Sequence, residues 1–295
     1  MISHGFINVL VTTTLVEMML AIGLAVSVDD VIFAARNWRR LARAVAANYV
    51  VIPAAALLLA ELLVDSEGLL LGFLIVAVFP GASYGPPFTK FAQGDLSLSV
   101  GLMVMLAASF AIAGPVLLRL MLLVTSVNSS LTVDVPRVIG TLMLTQLVPL
   151  AAGMLVRKHV PHVAAHLRGP AELLSKILNG VSIGCILVNQ VRRSGESHFE
   201  GLAAMVALLV VSLAAGYLLG GPGRASRKTV ALATSLRNIG VSVVVASSHQ
   251  AGSATLAAVV GYAIVEISGS LVAALWWGHG RMGAVQQVHF PIVRT

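Results

Sequence analysis

Thr229-Val-Ala-Leu-Ala-Thr-Ser-Leu-Arg237-Asn238-Ile-Gly240-Val-Ser242 runs through a long apolar segment, yet it carries an arginine, an asparagine, a glycine and several hydroxyls. A charged side chain at mid-membrane depth is expensive, so it is kept for a site and given a partner. The small and polar residues around Asn238-Ile-Gly240 let a helix break there. In the first half of the chain Phe79-Pro80-Gly81-Ala82-Ser83-Tyr84-Gly85-Pro86-Pro87 interrupts a second apolar run. Its prolines remove backbone donors and stop a regular helix. Two interrupted apolar segments, one in each half, are the pattern from which many secondary transporters build a midplane binding site.

Working outward, the 295 residues are 58% hydrophobic and only 11% charged, against about 25% charged in a soluble domain. The chain must face lipid. About 20 apolar residues cross a bilayer. Nine candidate spans follow, at roughly 5–27, 43–64, 69–91, 95–123, 135–156, 170–191, 199–220, 228–249 and 253–278, the third and eighth interrupted. Short connections make 1–295 a single membrane domain. Arg36, Arg39, Arg40, Arg43, Lys90, Arg157, Lys158, Arg168, Arg224, Arg227, Lys228, Arg281 and Arg294 fall at one set of span ends, and Arg137, Arg192 and Arg193 at the other. Basic residues mark the cytoplasmic side, so the N-terminus is expected outside and the C-terminus inside. Spans one to four then start outside, the fifth connects, and spans six to nine start inside. The expected fold is an all-α, inverted-topology repeat whose two broken helices cross.

Other chemistry is thinly represented. Cys185 stands alone in an apolar run and cannot form an internal disulfide. Met1-Ile-Ser-His-Gly lacks the basic start of a signal peptide. His159, His162 and His166 have helical metal-ligand spacing but no acidic or thiol neighbour, and read as a solvated loop. Gly180-x-x-x-Gly184 and Gly216-x-x-x-Gly220 allow helices to approach closely. No phosphate loop, nucleophile elbow or nucleic-acid motif is present. No enzyme activity, cofactor, bound metal or nucleic-acid partner is therefore expected.

The residues around the two breaks resemble the bile acid:sodium symporter family. Gly23-Leu24 with Asp29-Asp30, Asn48-Tyr49-Val50-Val51-Ile52-Pro53, Phe79-Pro80-Gly81-Ala82-Ser83, Gly94-Asp95-Leu96-Ser97-Leu98-Ser99-Val100, Asn238-Ile-Gly240 and Ile267-Ser268-Gly269-Ser270 follow the family's motifs in order. The resemblance implies a core bundle at about 43–123 and 199–278 that moves against a panel at about 5–27 and 135–191. It also implies two sodium sites beside the crossing. Here the family's sodium-binding residues are replaced by Gly85, Pro86, Met103, Ala233 and Arg237, which argues against sodium coupling by the usual sites.

The resemblance thus points to a secondary transporter of small organic anions in a bacterial inner membrane. The candidate substrate site is Arg237, Asn238, Glu266, Asn48, Ser99, Ser83, Gly85 and Pro86. Glu266 replaces a family asparagine, and its appearance together with Arg237 suggests a buried pair. Glu17, in Leu15-Val16-Glu17-Met18-Met19, is a second acid within a span. Glu17 and Glu266 are the candidates for a coupled proton; Glu17 could equally snorkel or pair with Gln146 or Asn179. A proton-coupled exchanger and a transport-dead sensor or scaffold are the other readings that fit. Oligomeric state has no sequence signal.

Overall fold

In a bilayer every backbone N–H and C=O must be bonded within the chain, and a helix does this locally. The computed structural model describes residues 4–36, 38–82, 84–125, 134–191, 201–248 and 252–285. Those residues form fourteen α-helices, two π-turns and one isolated β-bridge, with no strand among them. α1 (His4–Ala25), α2 (Val28–Arg36) and α3 (Trp38–Ala46) lead through a π-turn at Ala47–Val51 into α4 (Ile52–Leu63). α5 (Glu67–Val78), a break, α6 (Gly85–Phe91) and α7 (Leu96–Val124) follow. α8 (Val135–Leu142) passes through a second π-turn, Met143–Leu147, into α9 (Val148–His159), followed by α10 (Pro161–Val191). α11 (Leu202–Leu219), α12 (Arg224–Ser235), a second break, α13 (Ile239–Ser248) and α14 (Gly252–Val285) complete the chain.

Local chemistry sets the boundaries. Ser66, Asp95 and Asp134 cap α5, α7 and α8 by accepting from Leu69 N, Leu98 N and Arg137 N, satisfying donors that a helix start leaves free. Each π-turn is followed by a proline, Pro53 or Pro149. A proline cannot donate to the preceding turn, and the ladder shifts to longer bonds, Ile52 N to Ala47 O and Val148 N to Met143 O.

Among the described residues, five helices are long and apolar enough to cross a membrane: Trp38–Leu63, Leu96–Val124, Val135–His159, Leu202–Leu219 and Ala254–His279. Shorter apolar helices lie at Val9–Ala25 and Glu67–Val78. Leu62, Leu123, Val124, Leu218 and Trp276 face outward and are largely exposed, as lipid-facing side chains must be.

Two stretches expected as loops are helical. The basic residues after the first span lie on α2 and the start of α3, and α10 begins at Pro161 rather than near 170. Pro170, at the start of the expected sixth span, lies inside α10; Pro161 takes the first-turn position, where its missing N–H is harmless. His162 and His166 therefore stack one helical turn apart, ring centroids 4.4 Å apart, on an exposed surface.

The centre of the packing is α5. Its residues 71–78 are all buried, so it is enclosed on every side rather than along one stripe. A Cβ on Gly72 would lie 2.6 Å from Ala258 Cβ and Thr255 O, which brings α14 directly onto α5. Of the two Gly-x-x-x-Gly spacings, Gly216 and Gly220 do seat α11 against Ala231 and Arg227 of α12, whereas Gly180 and Gly184 meet no described neighbour within 4 Å.

Candidate functional site

The two breaks meet. Pro80 and Arg237 form an antiparallel bridge, and Asn238 N donates to Phe79 O at 2.8 Å. Gly81, at φ +91°, turns the first chain away from α5; a Cβ there would stand 3.0 Å from Ala107 N on α7. Glycine is thus needed for the left-handed backbone and for the close approach together. Pro86 and Pro87 occupy the first turn of α6 and start that half-helix rather than hold it apart.

Arg237 is fully buried. Its Nη1 donates to Asn48 Oδ1 at 2.8 Å and to Thr234 O at 3.3 Å, its Nε to Val76 O at 3.2 Å, and its Nη2 to Ala77 O. Val76 and Ala77 are in the last turn of α5, whose carbonyls have no partner within the helix and form the negative end of its dipole. A guanidinium from the other half of the chain thus caps α5 inside a cage of four neutral oxygens. Asn48 is fixed in turn by Nδ2 donations to Ala44 O at 2.9 Å and Thr234 Oγ1 at 3.3 Å. The π-turn that carries Asn48 is part of what aims it at the crossing.

The expected Arg237–Glu266 pair takes a different form. Glu266 accepts from the backbone N–H of Arg237 at 3.0 Å and from Tyr84 Oη at 3.0 Å, one donor for each carboxylate oxygen. Tyr84 Oη also lies 3.2 Å from Arg237 O. The guanidinium points the other way, toward α5. The carboxylate therefore fastens the backbone of the second break to the tyrosine of the first.

Asn238 caps α13, with Val241 N donating to its Oδ1 at 3.2 Å. Its Nδ2 is buried without a hydrogen-bond partner, and the residue lines a pocket of about 40 Å³ with Thr14, Leu15, Tyr84, Ser182 and Gly240. Thr14 and Ser182 share a 2.9 Å hydrogen bond across this pocket. Gly85, Ser99, Met103 and Ala233 surround a separate void of about 10 Å³, room for about one water. Ser99 there is bonded to Thr89 at 2.9 Å. Gly85, Met103 and Ala233, three of the positions expected to lack the family's sodium ligands, thus line one void, while Arg237 lies elsewhere. Pro86 lines a third, larger cavity of about 650 Å³ with Met18, Tyr84, Lys90, Arg168 and Ser175. Ser83 lies outside the described residues. Glu17, on α1, lines none of these three spaces. Sequence reasoning reached Tyr84 only as part of the broken segment and did not single out Thr14 or Ser182, whose one signal is a lone hydroxyl in an apolar helix.

This geometry, a bundle of apolar helices in which two broken segments cross around buried polar groups, is a membrane-transporter architecture. The model of the sodium bile acid symporter family matches residues 12–194, and the chain belongs to that family of integral membrane proteins. It is 25% identical over 270 residues to a protein of Arabidopsis thaliana named "Probable sodium/metabolite cotransporter BASS3, chloroplastic", covering 89% of this chain and 61% of that one. The same-named protein of Oryza sativa subsp. japonica is 23% identical over 270 residues, covering 89% and 62%. The chain spans about three-fifths of the length of these relatives.

Proposed function

We propose that this protein is a secondary transporter of small organic anions in which Arg237 stands in for a bound sodium ion. The reading takes the helices as nine spans in an inverted repeat, N-terminus outside, in a bacterial inner membrane. A panel of α1 and α8–α10 works against a core of the remaining spans by alternating access. One observation carries it: at the crossing a fixed cation sits in an oxygen cage, and beside it Asn238 presents an unpaired, buried donor to a pocket. A donor without an acceptor fits a ligand oxygen, and the neighbouring positive charge favours one on an anion. The guanidinium directs its hydrogen bonds to protein oxygens and lines neither of the two pockets that Tyr84 joins. Its role is to hold the crossing and set its potential. Asn238 makes the contact, with Thr14 and Ser182 on the panel side. Asn48, Ser99, Gly85 and Pro86 shape the core around it.

The relatives' names include sodium, but the cage argues for a different arrangement here. Two unit charges about 4 Å apart repel by about 4 kcal/mol at an effective dielectric of about 20. That weakens a sodium site beside Arg237 by roughly a thousandfold. Each oxygen of Glu266 already accepts one hydrogen bond, which favours its carboxylate form. The test is a melting screen of the purified protein with short carboxylates, followed by uptake of the best binder into proteoliposomes, in sodium and in choline buffer. Equal uptake in the two is expected. Uptake that collapses in choline would refute the tethered-cation reading, and no binding of any carboxylate would refute the anion reading.

A further inference from the structure

Three arginines converge where two spans end. α11 closes at Gly220, and the chain turns at Gly221, whose φ is +91°. This turn is buried and tightly seated: a Cβ on Gly220 would stand 2.5 Å from Arg227 Cα of α12. Arg227 Nε donates to Gly221 O at 2.7 Å, and its Cζ lies 5.7 Å from the centre of the Tyr217 ring. A Cβ on Gly221 would stand 4.0 Å from Arg40 Nε and 3.8 Å from Arg43 Nη1, both on α3. Arg40 and Arg43 are three residues apart and share one face of the helix. Leu41 and Ala44 instead pack with Leu98, Leu102 and Val230. The one ion pair among the described residues is Arg168–Glu172, on α10. The three charges at Gly221 therefore face one another with no carboxylate paired to them.

Two simpler roles leave this cluster unexplained. The carbonyl end of α11 carries only about half a negative unit charge, against three positive ones. Basic residues that fix orientation act from anywhere in the loops near span ends and gain nothing by crowding around a buried turn, where like charges repel. A bound anion would offset that repulsion, and the position says which kind. α3 opens the span Trp38–Leu63, and Gly221 follows the span Leu202–Leu219, so the arginines lie at headgroup depth. Trp38 is exposed, with Arg39 Cζ 5.6 Å from the centre of its ring, and tryptophan favours the membrane–water interface. Leu218, three residues before Gly221, is 75% exposed, and Val45 on α3 is exposed too. Hydrocarbon-facing surface thus begins within a turn of the arginines.

We propose that Arg40, Arg43 and Arg227 bind the phosphate headgroup of an anionic phospholipid, and that a lipid with two phosphates fills the site best. Guanidinium forks match phosphate oxygens in pairs, and basic pockets between spans suit such headgroups. The helices it would join lead to the crossing: α3 runs into the π-turn that carries Asn48, and α12 into Arg237. The lipid would brace that contact from the membrane surface. The site does not depend on the transport reading.

The test is thermal melting of the purified full chain in detergent with added diphosphatidylglycerol, phosphatidylglycerol or phosphatidylcholine of matched acyl chains, and separately with inorganic pyrophosphate. A saturable rise in melting temperature is expected, largest with the diphosphate lipid, smaller with phosphatidylglycerol and absent with the other two. Each arginine removed should weaken the lipid midpoint roughly fivefold, the equivalent of about 1 kcal/mol for a basic residue near an anionic membrane. Arg40→Gln with Arg43→Gln should therefore weaken it roughly 25-fold, while Arg137→Gln, at the opposite set of span ends, should not change it. Arg43→Gln alone, at an exposed residue, gives the single fivefold step should the double variant fail to fold. An equal rise with phosphatidylcholine would overturn the proposal, as would a lipid midpoint unmoved in Arg43→Gln. A rise with pyrophosphate as large as with the diphosphate lipid would mark a site for soluble anions and overturn the lipid assignment.

Discussion

At the scale of single residues, Arg237 decides the most. Its guanidinium is the only donor to Ala77 O and Asn48 Oδ1 among the described bonds, and shares Val76 O with the Phe79 N–H. Arg237→Gln would leave buried acceptors unmet, each worth about 1–3 kcal/mol. A loss of about 3–5 kcal/mol is expected, as for other broken buried charges, read by denaturant or thermal melting. Adding Glu266→Asn should not restore it, because Glu266 is held by the Arg237 backbone and Tyr84 rather than by the guanidinium. Recovery in that double variant would show the two side chains to be coupled after all. Arg237→Gln combined with Ala233→Glu, which brings back residues of the family pattern, should make the melting temperature rise with sodium but not with choline. No sodium response in this variant would count against the view that the guanidinium occupies a cation site.

At the scale of elements, the breaks are made by different residues than their proline content suggests. Pro86 and Pro87 begin α6, where prolines fit, so replacing both with Ala should leave melting and uptake near the wild-type values. Gly81 has positive φ and backbone 3.0 Å away. Gly81→Ala should cost about 1–3 kcal/mol in strain and reduce uptake more than the double proline variant does; the reverse order in a melting and uptake comparison would place the break at the prolines. The position of both breaks was legible in sequence, because glycine, proline and a lone arginine inside apolar runs do not suit an unbroken lipid-facing helix. Their junction was not: the Phe79–Asn238 hydrogen bond joins residues more than 150 positions apart, and composition carries no register. The sixth span is the opposite case: α10 begins at Pro161 and runs on through Pro170, so a proline there interrupts nothing.

At the scale of the whole molecule, charge distribution and packing must agree about orientation. In a Cys185→Ser background, Asp65→Cys should react with an impermeant thiol reagent added outside intact cells, and Ala225→Cys should not; both positions are exposed. The reverse pattern would invert the topology and with it the proposed repeat. The large cavity, with Lys90, Arg168 and Glu172 on its walls, would then open outward instead of to the cytoplasm.

What the sequence determined by itself was everything that depends on local composition: helices, membrane class, the two interruptions and the family. Hydrophobic runs and backbone hydrogen bonding leave an apolar chain no other local solution. What only the tertiary structure decided was which atoms face one another. Arg237 could have met Glu266 by charge, but desolvating a guanidinium requires several acceptors at once, and the open carbonyls at the end of α5 supply them with Asn48. The carboxylate was then free to bind a backbone N–H and Tyr84. The close approach of α1 and α9 at Gly23 and Gly153 likewise depends on a register that no pattern within either helix encodes.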